Sequence, residues 1–438
     1  MIKDTDVVIV GTGAAGLFCA LHFPEDIKVL MITKDTVDKS DSFLAQGGMC
    51  MLRDEKDYEE YFEDTMRAGH YENNKNSVDI MIRSSQKIAS ELMEYGVEFE
   101  KDNGGFIFTR EGGHSHPRIL FHKDITGKEI TSKLLYNASR RKNIEILEYT
   151  SMLDIICDSG NVCRGIVVCG KDGSISAVRA LYTVLACGGL GGLYKHSTNF
   201  RHITGDALAI AYKHNIEVDH IDYIQIHPTT LYSEKPGRRF LISESVRGEG
   251  AVLLNKDKKR FCNELNPRDI VTADIRKQME KDNMPYVWLS MENIPENEIR
   301  AHFPNILDQC LKEGYNPVKE CIPVVPAQHY FMGGIKTDSD SMSSMPHLYA
   351  VGETSCNGVH GRNRLASNSL LESMVFAERA AEAIQREMFT GVALYNKLDN
   401  GHFLKLACLG AYNNIEALKA EYKERVLSEI EKENKRHE

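Results

Sequence analysis

The stretch Val7–Gly16, VVIVGTGAAG, decides the fold, because a G-x-G-x-x-G motif (Gly11–Gly16) directly follows a run typical of a buried strand. Ala14–Phe23 predicts a helix after the motif, and Lys28–Ile32 predicts a second strand. In such a unit the first glycine makes the tight turn, the second lets the backbone approach a pyrophosphate, and the third lets helix and sheet pack closely. The helix N-terminus also favours phosphate charge. The stretch therefore predicts the β–α–β unit of a dinucleotide-binding parallel sheet.

The acidic residue that usually binds the ribose hydroxyls at the end of the second strand is missing. Thr33 and Lys34 occupy that place, and Asp35 follows. Either other groups hold the ribose, or Asp35 substitutes for the missing acid. The departure concerns this contact and leaves the predicted fold unchanged.

Length and composition predict a globular protein of two or three domains, since the chain has 438 residues and domains usually run to roughly 100–200. The formal net charge of −10 makes nucleic acid or an anionic membrane an unexpected partner. No apolar run approaches the ~18–20 residues of a membrane-spanning helix, and no signal peptide is recognisable. The 11 cysteines are dispersed without a C-x-x-C pair, which argues against a disulfide framework and a metal centre. We therefore expect a cytoplasmic protein that binds no metal.

The pattern along the chain predicts a nucleotide-binding domain in two segments, residues 1–216 and 326–390. Ile144–Val168 alternates apolar and polar residues and predicts a small antiparallel meander within the first segment. Residues 217–325 carry prolines and mixed helix signals, and predict an inserted capping domain. Residues 391–438 predict a short helical region. The predicted class is α/β (α+β overall), with a Rossmann-like domain, an inserted capping domain and a C-terminal helical tail.

Later segments favour a flavin over a nicotinamide ring. Ser42–Gly48 places small residues and paired glycines where the backbone can lie flat against a ring. Leu348–Glu353 is a strand that ends in Gly-Glu, and this acid is suited to a sugar-alcohol chain. Ala366–Leu371 then enters a helix, and the positive end of that helix can stabilise negative charge on a reduced flavin.

Seven motifs resemble the flavoprotein subunits of the succinate dehydrogenase/fumarate reductase family and, within it, the L-aspartate oxidases. They are A-Q-G-G at Ala45–Gly48, T-R-E-G-G-H-S-H at Thr109–His116, H-P-T at His227–Thr229, E-x-x-R-G-E-G at Glu244–Gly250, P-R-D at Pro267–Asp269, H-Y-x-x-G-G at His329–Gly334 and N-R-x-A-S-N-S-L at Asn363–Leu370. The resemblance implies FAD-dependent oxidation of L-aspartate to iminosuccinate, with reoxidation by O2, giving H2O2, or by fumarate. The product would pass to quinolinate synthase in NAD biosynthesis.

The resemblance also implies which residues contact FAD. Relatives that bind FAD covalently use a histidine just before A-Q-G-G, and Asp41 stands there, so we expect non-covalent FAD. Gly205-Asp206-Ala207 replaces the usual G-D-G but keeps the aspartate. The implied contacts are Gly11, Thr12, Gly13, Ala14, Ala15, Gly16, Lys34, Asp41, Ser42, Phe43, Leu44, Ala45, Gln46, Gly47, Gly48, Asp206, Glu353, Ser369 and Leu370.

Four residues are candidates for binding a C4-dicarboxylate. Arg364 can bind one carboxylate through two hydrogen bonds, and His227, His329 and Ser243 can donate to the other. The resemblance implies that all four converge over the flavin.

The resemblance also assigns proton transfer. It implies that Arg268 transfers the proton, with Glu244 and Arg247 in relay and substrate-site positions. Arginine is a weak acid, with a pKa above ~12, but a buried guanidinium linked to acids through a proton path can transfer a proton.

Glu111 favours aspartate over succinate, because its carboxylate can pair with a substrate ammonium. The alternative is a surface residue in a glycine-rich loop. The competing functions are a soluble fumarate reductase or succinate dehydrogenase flavoprotein and a non-catalytic flavin- or dinucleotide-binding subunit. The sequence leaves open the electron acceptor, the oligomeric state and whether oxidation starts at C–N or at C2–C3.

Overall fold

The computed structural model describes residues 2–102, 105–390 and 399–437. Its strands, in chain order, are β1 Ile2–Asp4, β2 Val7–Val10, β3 Val29–Ile32, β4 Met49–Cys50, β5 Lys101–Asp102, β6 Gly105–Phe106, β7 Ile119–Leu120, β8 Ile144–Leu147, β9 Ser151–Cys157, β10 Cys163–Cys169, β11 Ile175–Arg179, β12 Tyr182–Leu185, β13 Val218–Asp219, β14 Ile224–Leu231, β15 Val252–Leu254, β16 Val287–Ser290, β17 Ile322–Phe331, β18 Gly334–Lys336, β19 Leu348–Ala350 and β20 Ser355–Cys356. Its helices are α1 Ala14–Leu21, α2 Tyr58–Ala68, α3 Lys75–Glu94, α4 Thr126–Arg140, α5 Asp206–Lys213, α6 Glu244–Gly248, α7 Arg268–Asp282, α8 Glu296–His302, α9 Pro304–Lys312, α10 Asn368–Phe389, α11 Asn400–Ala407 and α12 Ile415–His437.

A five-stranded parallel sheet confirms the Rossmann-like domain. Its strand order is β19-β12-β2-β3-β8, so strands from both ends of the sequence meet in one sheet. Strands β2 and β3, which are continuous apolar runs, are fully buried, and so is β12 between β2 and β19. Gly11 has φ +119°, and a Cβ there would collide with the carbonyl oxygen of Ala186 on the next strand. The first glycine of the motif is therefore required by both the turn and the close approach.

The predicted meander is partly wrong, because its first strand belongs to the parallel sheet. Strand β8 pairs with β3 in parallel, with Ile144 opposite Val29. Only β9, β10 and β11 form the antiparallel part, and β1 completes that sheet. Strand β8 is an edge strand with a half-exposed pattern, and this alternation is also typical of an antiparallel strand.

The inserted segment contains an antiparallel sheet, β14-β17-β16-β15, where the sequence predicted only loops and mixed helices. Helices α6 to α9 pack on this sheet around a separate apolar core. Strand β17 runs through residues 325 and 326, so the predicted boundary there would divide one strand. The domain division remains a prediction, with this boundary moved to after Phe331.

The C-terminal helix α12 packs against α5 of the nucleotide-binding segment. Its buried residues Tyr422, Val426 and Ile430 join the core on that face of the parallel sheet. Among the described residues, no helix is long and apolar enough to cross a membrane.

Candidate active site

A cleft with about 1650 Å³ of open space lies at the carboxyl ends of the parallel strands. Val10, Ile32 and Val351 mark the strand ends within its lining, and Leu241 and Ser243 of the inserted segment line the opposite side. Parallel α/β sheets bind ligands in this position.

Most of the implied FAD contacts line this cleft. They are Gly11, Thr12, Gly13, Ala15, Lys34, Asp41, Ser42, Leu44, Ala45, Gln46, Gly47, Gly48, Asp206, Glu353, Ser369 and Leu370. Ala14, Gly16 and Phe43 are not among the described lining residues. Gly16 has a packing role instead, because a Cβ there would collide with the carbonyl oxygen of Gly11. The amide of Ala14 donates to the Ser42 hydroxyl at 3.2 Å, so this residue acts through its backbone.

The groups in the lining suit FAD. The motif glycines open space beside the start of α1, and the N-terminus of α10 faces the cleft with Ser369 and Leu370. Gln46 Oε1 is buried without a hydrogen-bond partner in the described chain, so it can accept a hydrogen bond from a ligand. Glu353 accepts a hydrogen bond from the Phe331 amide at 2.9 Å, and burial raises its pKa to about 8.

The position of the missing ribose acid is filled by an ion pair. Lys34 Nζ lies 2.6 Å from Asp206 Oδ2, and Lys34 also donates to the carbonyl oxygen of His202 at 3.0 Å. Asp35 is not among the described residues that line the cleft, and its side chain is 42% exposed. This arrangement favours the alternative in which other groups bind the ribose, and not the one in which Asp35 replaces the missing acid.

Asp41 is half-buried in the lining of the cleft. It accepts a hydrogen bond from the amide of Phe200 at 2.9 Å, and Arg238 is the nearby cation. Burial raises the Asp41 pKa to about 7. Arg238 comes from the inserted segment and was not foreseen from the sequence.

One glutamine joins the two arginines of the substrate end. Gln225 Oε1 accepts from Arg268 Nη1 at 2.8 Å and from Arg364 Nε at 3.2 Å. Arg364 also donates to the Ser369 hydroxyl and stacks over the Tyr330 ring at 4.2 Å. Its Nη2 is buried without a hydrogen-bond partner in the described residues, and burial lowers its pKa to about 10. This nitrogen is therefore available to a substrate carboxylate.

His227 and His329 stand side by side, with ring centroids 5.1 Å apart. His227 Nδ1 lies 3.1 Å from the backbone of Thr229, and its buried Nε2 lacks a hydrogen-bond partner within the described chain. His329 Nδ1 lies 2.7 Å from the Thr198 hydroxyl. Burial, together with the neighbouring arginines, holds the pKa of both rings well below the usual range. Both are neutral hydrogen-bonding groups at neutral pH.

Glu244 connects Arg268 and Arg247. Arg268 Nε donates to Glu244 Oε2 at 2.6 Å, and Arg247 Nη2 lies 3.2 Å from Glu244 Oε1. The two arginines hold the Glu244 pKa below its ordinary value despite burial, which alone would raise it. Arg268 and Glu244 line the cleft, but Arg247 is not among the described lining residues and donates to the carbonyl oxygen of Glu264. Arg247 therefore lies behind Glu244, away from the described lining of the cleft.

Glu111 lines the cleft and is 3% exposed, so the alternative of a surface residue is wrong. Its carboxylate accepts hydrogen bonds from Ser245 and Ser367. Burial and the nearby Glu244 raise its pKa, while Arg268 and the two serines lower it. A buried carboxylate in this position can pair with a substrate cation.

Several site residues were missed in the sequence. Gln225 precedes the H-P-T motif by two positions, and Ser245 and Ser367 lie inside quoted motifs. Their positions in or beside these motifs could have identified them as site residues. Tyr330 also lies inside a quoted motif, H-Y-x-x-G-G, whereas Arg238 lies in none of them and reaches the cleft only through the folded chain.

Known proteins resemble this chain over most of its length. The model of the FAD binding domain family matches residues 6–370. An L-aspartate oxidase of Clostridium perfringens is 50% identical over 382 residues, which cover 87% of each chain. An L-aspartate oxidase of Clostridium acetobutylicum is 47% identical over 387 residues, which cover 88% of this chain and 89% of the relative. The solved structure of the E. coli quinol fumarate reductase chain FrdA has a TM-score of 0.87 at 28% identity, and the match covers 97% of this chain and 78% of that one.

Proposed function

Since this chain belongs to the L-aspartate oxidase family of FAD-binding flavoproteins, we propose that it oxidises L-aspartate to iminosuccinate at the cleft described above. The observation that carries this proposal is Glu111, a buried carboxylate that lines the cleft near Arg268 and Arg364 and, unlike Glu244, forms no salt bridge among the described residues. A dicarboxylate needs those donors, and only a substrate with an ammonium group needs the carboxylate as well.

The two substrate carboxylates are bound by different groups. Arg364 offers its unpartnered Nη2 to one of them, and Gln225 and Tyr330 hold its guanidinium in place. His227 and His329 donate to the other carboxylate, together with Ser243, and neutral rings suffice because the site already carries two arginines.

A proton leaves the substrate toward Arg268 in this scheme. The guanidinium of Arg268 donates a hydrogen bond to Glu244, and Arg247 lies 3.2 Å from the other Glu244 oxygen, on the side away from the cleft. Glu244 stays ionised beside two arginines, so Arg268 can first pass one of its own protons to Glu244 and then accept the proton from the substrate. FAD held by the residues that line the cleft would supply the hydride acceptor, and it would be reoxidised by O2, giving H2O2, or by fumarate.

We further propose that the enzyme works in the cytoplasm and that its product passes to quinolinate synthase in NAD biosynthesis. All eleven cysteines lie in described residues and are free thiols, as expected in a reducing compartment. Iminosuccinate hydrolyses readily in water, so a prompt transfer to the next enzyme suits its chemistry.

The test is H2O2 release by the purified yellow protein with L-aspartate, D-aspartate, L-glutamate or succinate as substrate. We expect turnover with L-aspartate alone among the amino acids. In Glu111→Gln, kcat/KM for L-aspartate should fall roughly 10- to 100-fold, because a hydrogen bond between charged groups is lost, while fumarate reduction is retained.

Two outcomes would reject the proposal. Oxidation of succinate without oxidation of L-aspartate would make the protein a soluble succinate dehydrogenase or fumarate reductase flavoprotein. Absence of turnover with all four substrates and with fumarate, in protein that retains FAD, would favour the non-catalytic binding subunit.

A further inference from the structure

Glu111 is held by serine hydroxyls from two different parts of the chain. Ser245 Oγ donates to Glu111 Oε1 at 2.8 Å, and Ser367 Oγ donates to Oε2 at 2.6 Å. Ser245 lies in α6 of the inserted segment, whereas Ser367 directly precedes α10 of the nucleotide-binding segment. The carboxylate is therefore fixed from both sides of the cleft, and we call this pair the serine clamp.

Each hydroxyl of the serine clamp has its direction set by a second contact. Ser367 Oγ accepts from the Gly48 amide at 3.2 Å, and its backbone is in the left-handed region, with φ 64°. Ser245 Oγ accepts from the Ser243 hydroxyl at 3.2 Å. Each hydroxyl therefore accepts one hydrogen bond and donates its proton to Glu111.

Gly47 packs its backbone closely against the Glu111 carboxylate and leaves it little room to rotate away. A Cβ at Gly47 would lie 2.6 Å from Glu111 Oε1. The carboxylate is thus held at the cleft wall by close backbone on one side and by hydroxyls on the other.

Donated hydrogen bonds favour the ionised form of a buried carboxylate. Burial and the negative charge of Glu244 oppose ionisation of Glu111, while Arg268 and Arg364 are the cations that face it. Each oxygen of a carboxylate accepts about two hydrogen bonds, so a serine on each oxygen leaves a lone pair for an ammonium.

We propose that Ser245 and Ser367 are positioning residues that set the selectivity for an amino group, by keeping Glu111 ionised and directed at the substrate. This inference rests on the proposed oxidation of L-aspartate. It adds that recognition of the amino group depends on both segments, because one serine belongs to each.

The experiment compares Ser245→Ala and Ser367→Gly with the wild-type holoenzyme. Glycine is chosen at Ser367 because it adopts the left-handed backbone without strain. Each variant should lower kcat/KM for L-aspartate roughly tenfold, mainly through KM, with kcat/KM for fumarate reduction unchanged. The acidic limb of the aspartate profile should also move to higher pH, because Glu111 loses a donor that favours its ionised form.

Two controls separate positioning from general damage. Ser245→Thr keeps the hydroxyl and should restore most of the aspartate activity. Ser77→Ala removes another buried serine hydroxyl, which donates at 2.7 Å to the Asn357 carbonyl oxygen in a region that does not line the cleft. This variant should leave both substrates unaffected.

The outcomes distinguish this inference from the proposed function. If the wild type does not oxidise L-aspartate, the proposed function and this inference are both rejected. If the wild type does so but both variants keep its ratio of aspartate to fumarate activity, the inference alone is rejected. An equal loss with both substrates would mean a structural role and would also overturn it. If one variant loses FAD, the other still decides, because each serine is on a different segment.

Discussion

Arginine residues dominate the substrate end of the cleft, and acceptors from other elements hold each of them. Gln225 uses one amide oxygen for both Arg268 and Arg364. Glu244 then neutralises Arg268 on its far side. Two like charges can therefore sit close together, and each keeps a defined direction toward the cleft.

The role of Arg268 gives the first prediction at this scale. Arg268→Leu should retain FAD but lose turnover with L-aspartate by at least ~100-fold, because the proton path to Glu244 begins at this guanidinium. Steady-state kinetics and the flavin absorbance of the purified variant measure the two effects. Arg276→Leu, in the same helix but outside the described cleft lining, is the control. Near-normal turnover in Arg268→Leu would contradict the role.

Asp41 gives the second prediction, which concerns the attachment of FAD. A carboxylate in this position forms no bond to the flavin ring, so acid precipitation of the protein should release all FAD into the supernatant. Absorbance of the supernatant and of the redissolved pellet measures the distribution. Flavin that stays with the polypeptide after denaturation would refute non-covalent binding.

Helix α9 of the inserted segment is capped by a residue of the nucleotide-binding segment. Asp124 accepts hydrogen bonds from the amides of Asn305 at 3.2 Å and of Ile306 at 2.7 Å. The residue before the helix, Phe303, offers no side-chain cap among the described contacts. The carboxylate therefore stabilises the helix and also ties the two segments together.

At the scale of the element, Asp124→Ala should lower the free energy of unfolding by about 1–2 kcal/mol, because one buried and one part-buried amide lose their acceptor. Denaturant titration of the holoenzyme measures this loss. Asp399→Ala removes an exposed cap that serves helix α11 alone. This variant should lower the free energy of unfolding by less than Asp124→Ala does. Equal small losses in the two variants would show that the link between segments contributes nothing.

The C-terminal helix supports the FAD site from behind. Val426 packs beside Gly205, at the start of helix α5, and Asp206 at this helix end lines the cleft and pairs with Lys34. The Tyr422 hydroxyl donates to the Leu153 carbonyl oxygen at 2.7 Å, and the Tyr412 hydroxyl donates to Asp154 at 2.8 Å. The short tail is thus part of the main core.

This packing predicts an effect on FAD binding at the scale of the whole molecule. Val426→Ala should destabilise the protein by about 1–3 kcal/mol and weaken FAD binding several-fold, while kcat at saturating FAD is retained. Thermal unfolding and titration of flavin fluorescence with apoprotein measure the two effects. Leu427→Ala, at a neighbouring side chain that is 46% exposed, should change neither. Unchanged FAD affinity in Val426→Ala would contradict the support role.

The sequence by itself determined the dinucleotide-binding β–α–β unit of the parallel sheet and the family, because these depend on local patterns. The run Val7–Gly16 specifies a buried strand, a tight glycine turn and a helix within ten residues, and the structure confirms each of them. The motifs around Glu111 and Arg364 likewise identified a family that the comparisons confirm.

Only the tertiary structure decided how distant segments meet. Strand β8 joined the parallel sheet because of its neighbour β3, and its own alternation gave no sign of this. The serine clamp, the shared acceptor Gln225 and the cap from Asp124 all link residues far apart in the chain. A local pattern carries the preference of a segment for strand, turn or helix, but a hydrogen bond between distant segments depends on how the whole core packs.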